Sequence, residues 1–147
     1  MIRASRRGAL LAGLVLWPLI WLAILTSRID DTWSIPAAIL VAAFSWPALA
    51  LLGAGLGPAA LGSKVDGAMA GLALAIGAPV AAVTSTAIGS FILAAVLTSS
   101  SRAAETFGLT VRTGVLEAIR MAPWLAVAAA IWVIAIRRWS DLSDASS

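Results

Sequence analysis

The chain alternates long apolar runs with short polar breaks. The first run, Gly8–Thr26, is 19 residues long and follows Arg3, Arg6 and Arg7. At about 1.5 Å per helical residue it reaches across a hydrocarbon layer of about 30 Å. It is read as a retained span rather than a cleaved leader, because it is long for a signal core and no A-x-A-like site follows it. Arg28, Asp30 and Asp31 then form a polar turn, with Trp33 at the expected level of an interfacial aromatic. A second span is expected over about 35–56, stopped by Gly53, Gly55, Gly57 and Pro58.

The third run, Gly67–Leu97, has 31 residues, more than one straight crossing needs. This predicts tilt, a break at Pro79, or both. Eighteen of the 31 are Gly, Ala, Ser or Thr. Small residues let helix backbones approach, so this span is expected to be the one most enclosed by protein. Gly67, Gly71, Ala78 and Ala82 are its candidate packing positions, with Gly67-x-x-x-Gly71 matching the small-residue motif. Gly53-x-x-x-Gly57 also matches, but its position suggests a helix stop.

Thr98–Ser101 is polar. Over 102–120 the pattern becomes amphipathic, with Phe107, Val111, Val115, Ala118 and Ile119 on one side. Arg102, Glu105, Thr106, Arg112, Thr113, Glu117 and Arg120 gather on the other, and Leu109 and Leu116 intrude there. This predicts an interfacial helix lying on the membrane surface. A last span is expected over about 118–136, closed by Arg137, Arg138 and Trp139.

The expected architecture is therefore all-α. It is a single membrane domain over 1–147, an integral membrane four-helix bundle with spans near 8–26, 35–56, 67–97 and 118–136. The amphipathic helix of about 102–120 lies between the third and fourth spans. Composition agrees. Hydrophobic residues make up 61%, charged residues 12%, and the mean hydropathy is +1.00. Soluble domains hold about 25% charged residues, and this chain has too few to cover an aqueous surface.

The net charge of +3 comes from nine Arg and Lys64 against seven acids. The cations cluster at span ends, so they read as orientation signals, not as a nucleic-acid surface. With four crossings, Arg3, Arg6, Arg7, Lys64, Arg137 and Arg138 share one side, and Arg28, Arg102, Arg112 and Arg120 the other. Six against four predicts both termini in the cytoplasm. Abundant Ala and Arg point to a bacterial protein, hence to the cytoplasmic (inner) membrane.

Cys, His and Tyr are absent. This excludes disulfides, haem held by His, Cys or Tyr, Cys/His zinc sites and His-based catalysis. No cofactor or metal is expected. Asp30 and Asp31 are the only close acidic pair, adjacent on a turn, so no enzyme is expected either.

Three features could carry function. Pro18, Pro47 and Pro79 lie near mid-span and could break their helices, although proline is ordinary in membrane helices. Thr84, Ser85, Thr86 and Ser90 could form a polar interior, or could bond to carbonyls one turn back. Trp17-Pro18 and Trp46-Pro47 stand 29 residues apart and hint at an inverted repeat. Among these spans no charged or amide side chain occupies a centre, as ion-coupled transport would require. The expected function is a non-catalytic accessory, anchor or assembly subunit, in contact with lipid and with other membrane subunits or itself. The alternative is a small permease or channel component, with transport of an uncharged or weakly polar solute.

Overall fold

The computed structural model describes residues 2–27 and 34–146. The turn over 28–33, including the expected interfacial Trp33, lies outside the described residues. Four α-helices follow one another: α1 (Ile2–Ser27), α2 (Ser34–Ala60), α3 (Lys64–Leu97) and α4 (Ser100–Ala145). Three of them, over Ile39–Ala60, Lys64–Leu97 and Ser100–Ala145, are long and apolar enough to cross a membrane.

Each helix packs on the next in the chain, and α4 returns to α1. Sequential neighbours run antiparallel. Gly8 meets Gly53 while Trp17 bonds Ala42, and Gly71 meets Val133 while Val83 meets Gly114. The buried positions recur every four residues: Gly8, Ala12, Leu16 and Ile20 on α1, and Ser45, Leu49, Gly53 and Gly57 on α2. On α3 they are Ala70, Leu74, Ala78, Ala82 and Thr86. A spacing of four marks the i±4 ridge, along which one helix seats into the groove of another. Alanine and glycine on that ridge bring the axes close.

Turns are short and capped. Leu61–Ser63 links α2 to α3, where Ser63 and Asp66 form a capping box. The Ser63 hydroxyl accepts from the Asp66 N–H (3.1 Å), and the Ser63 N–H donates to Asp66 Oδ2 (3.0 Å). This satisfies two donors that the helix start would leave free. The polar break near Thr98–Ser101 is the α3–α4 turn, with Ser99 capping the Arg102 N–H at 3.4 Å.

Four expectations are corrected. The helix of the second span does not stop at Leu56 but runs to Ala60, because Gly53 and Gly57 are buried against α1 instead of marking a turn. Among the described residues no glycine adopts a positive φ, so none of them uses the left-handed backbone that glycine permits. Pro79 does not break α3, which is one 34-residue helix. The segment 102–120 is not a separate element: α4 is 46 residues long and continuous through Arg120, Met121 and Pro123. Nothing between the amphipathic stretch and the final span breaks a helix, and Pro123 removes only one donor.

The last correction concerns enclosure. Of the most apolar window, 17% is buried in α3, against 22% in α2 and 33% in α4. Small residues make a narrow contact ridge, and Leu72, Ile76, Val80, Ile88 and Ile92 all face outward.

The packed core draws on all four helices but uses no residue of α3 beyond Ala82 and none of α4 before Met121. Past that level α3 still meets α2, with Gly89 against Phe44, and it continues along α4. Phe91 and Phe107 meet edge to face with centroids 6.1 Å apart, and Ala103 is buried. From Phe91 to Arg102 every residue except Ala94 is exposed.

Candidate functional site

The hydroxyl cluster of α3 divides. Thr84 faces outward. Ser85 is half-buried and donates to the Ala81 carbonyl (2.7 Å) and the Ala82 carbonyl (3.2 Å), the local bond that a helix offers a serine. Ser90 is half-buried. Thr86 alone turns fully into the bundle, 4% exposed, and its Oγ1 has no hydrogen-bond partner among the described residues. An unpaired buried hydroxyl is unfavourable and marks a place where water or a polar group would be stabilised.

A second buried hydroxyl, Ser45 on α2, escaped the sequence reading. Its Oγ donates to the Ala42 carbonyl at 3.3 Å. The same carbonyl accepts the Trp17 indole N–H at 2.9 Å. A methyl group at Gly13 would in turn stand 2.6 Å from the Trp46 indole nitrogen. Each tryptophan of the Trp-Pro pair therefore lies against the small residue four places before the other: Trp17 on Ala42, and Trp46 on Gly13. A lone serine in an apolar run gives no periodic signal, which is why Ser45 was missed.

Pro18, Pro47 and Pro79 lie within α1, α2 and α3, each of which continues past its proline. Their missing N–H groups leave the carbonyls of Leu14, Ala43 and Ala75 without a helical donor, by the i−4 rule.

The packing positions are all buried. Ala78 and Ala82 lie in the core, Gly71 lies under Val133, and Gly67 lies under the Arg137 guanidinium. Arg137 reaches three carbonyl oxygens at the α2–α3 turn. Its Nε donates to Ala60 (2.9 Å), and its Nη2 donates to Ser63 (2.7 Å) and Gly62 (3.3 Å). The last two carbonyls lie outside or at the end of a helix, so the cation satisfies groups that apolar surroundings would leave bare.

Nearby, the buried Trp132 indole donates to the Gly8 carbonyl at 3.1 Å. Arg7 donates to the Trp139 carbonyl at 3.3 Å and lies 5.4 Å from the centre of its ring. At the other end, Arg120 and Glu117 pair at 3.7 Å on α4. That pair is i,i+3 on one helix and largely wet on the arginine side, so it is a local helix contact.

These features define an all-helical chain with membrane-crossing helices, a small-residue contact ridge and a core filled by side chains. Comparison with family models, with curated proteins and with solved structures gave no match for the chain.

Proposed function

We propose that this chain is a non-catalytic accessory, anchor or assembly subunit of a membrane complex. One observation carries the reading. Leu16, Leu49, Leu74, Leu125 and Trp132, drawn from all four helices, belong to one core and are each no more than 1% exposed. Such a plug of large apolar side chains supports a subunit that packs against partners rather than one that conducts or catalyses. The proposed topology has four crossings, α1 supplying the fourth, with both termini on the cytoplasmic side of a bacterial inner membrane. Contacts across the bundle support this grouping of the cations. Arg7, Arg137 and the α2–α3 turn, which Lys64 follows, lie at one end.

The stretch 102–120 is proposed to work at the far interfacial level, upright against α3, as the part of α4 that meets a partner or the headgroups. Its charges and its outward apolar side chains, Leu109, Val115, Leu116 and Ile119, suit a boundary position.

Purification of the tagged native protein in mild detergent, followed by mass spectrometry, tests the reading. Stoichiometric foreign subunits are expected. A clean homo-oligomer that passes small polar solutes into proteoliposomes would overturn it in favour of a permease. The buried, unpaired Thr86 hydroxyl is the observation that favours that second reading.

A further inference from the structure

The α1–α4 end carries a feature that packing does not explain. On α1, Arg3 and Arg6 are exposed and continue the outward stripe of Leu10 and Leu14, which are 56% and 69% exposed. On α4, exposed Arg138 ends the outward stripe of Val127, Ile131 and Ile134. Two lipid-facing stripes thus end in arginine at the same end of the bundle. Arg7 lies between them, seated on the partly exposed Trp139 indole. The Trp132 bond to Gly8 ties the two helices together a turn or two further in. Arg137 is occupied by carbonyls, but Arg3, Arg6 and Arg138 are exposed and point outward. Four arginines, Arg3, Arg6, Arg7 and Arg138, outnumber the two carboxylates that follow on α4, Asp141 and Asp144.

We propose that this end of the α1–α4 pair binds the headgroup of an anionic phospholipid, its acyl chains lying along Leu10 and Leu14 or Ile131 and Ile134. The charge is complementary to a phosphodiester, and arginine presents a planar fork that suits its oxygens. Apolar stripes directly below the cations distinguish a lipid from a free anion, which would use the guanidinium groups alone. The indole of Trp139 belongs at the same headgroup level.

Spin-labelled phosphatidylglycerol and phosphatidylcholine, added in trace to phosphatidylcholine vesicles holding the full chain, measure the relative association of each lipid. At low salt phosphatidylglycerol should be favoured about fivefold. The preference should collapse in about 1 M NaCl, where screening acts within about 3 Å. Arg3→Gln/Arg6→Gln/Arg138→Gln should bring the ratio near one, while Arg102→Gln/Arg112→Gln at the other end leaves it unchanged. Absence of any preference in the unaltered protein, which needs no variant to fold, overturns the proposal. So does a preference that the second variant removes and the first keeps. Displacement of the labelled lipid by inorganic phosphate, beyond that by NaCl of equal ionic strength, would make it a free-anion site and overturn it as well.

Discussion

The α1–α2 seam gives the sharpest test of the packing argument, through two alanine substitutions two residues apart. A methyl group at Gly53 would lie 2.6 Å from the Gly8 carbonyl oxygen and 3.1 Å from its carbon. Both atoms are backbone inside a helix, so neither swings aside. The Ala12 methyl lies closer still, and ordinary contact begins near 3.4 Å, so α1 and α2 would have to separate by about 1 Å, a gap that forfeits about a quarter to a half of each contact it opens. Gly53→Ala should therefore cost about 1–3 kcal/mol, the usual penalty of overpacking. At Gly55 no atom lies within 4 Å of the same methyl group. There the substitution should be neutral or stabilise by up to about 1 kcal/mol, since alanine is the better helix former. Titration with SDS in mixed micelles, followed by far-UV circular dichroism and tryptophan fluorescence, reads both midpoints. Equal shifts of the two midpoints in the same direction would refute the close approach of the helices.

Three further outcomes follow from named contacts. Arg137→Ala should destabilise the bundle by about 2 kcal/mol in the same titration, because it strips three carbonyls of a charged donor, and Arg137→Lys should recover part of the loss. Trp132→Phe keeps most of the buried volume but loses the bond to Gly8, so a loss of about 1 kcal/mol is expected, and none at all would mean that water replaces the indole N–H. Gly71→Leu should separate α3 from α4, since even a methyl group there would stand 3.1 Å from Val133 Cγ2; cross-linking between cysteines placed on the two helices should fall relative to the unaltered pair.

Much of the scaffold was legible in the pattern of apolar runs. The break at Thr98–Ser101 fell where α3 gives way to α4, and the small-residue positions Gly67, Gly71, Ala78 and Ala82 are all buried. The errors share a cause. Glycine, proline and charge were read with the habits of soluble helices, where Gly53–Pro58 would stop a helix and a charged stretch would be its own element. Between apolar helices a glycine costs little when a neighbouring backbone covers it, so α2 runs on to Ala60. The continuity of α4 could have been suspected from the lack of any glycine or proline between Val115 and Ala122.

The roles of Arg137, Trp132 and Ser45 were out of reach. Arg137 bonds residues 74, 75 and 77 places away, and Trp132 bonds one 124 places away. No local period reports such pairings. The hydroxyls were read together as a candidate polar interior, and only the fold separates exposed Thr84 and Ser85, bonded to its own helix, from buried Thr86.

The long reach of Arg137 also bears on how the chain matures during synthesis. The carbonyls it caps belong to a turn made 75 residues earlier, and at about 5–20 residues per second that is a wait of roughly 4–15 s. Through that interval the turn between α2 and α3 has bare carbonyls, and the Gly8 carbonyl lacks the indole that later covers it. Only when the stretch from Trp132 to Trp139 arrives are the first helix, the turn and the last helix fastened together. The nascent protein is thus latched from its later end. A chain cut before Trp132 would keep three helices and most of the fourth but lack both the indole on Gly8 and the guanidinium on the α2–α3 turn.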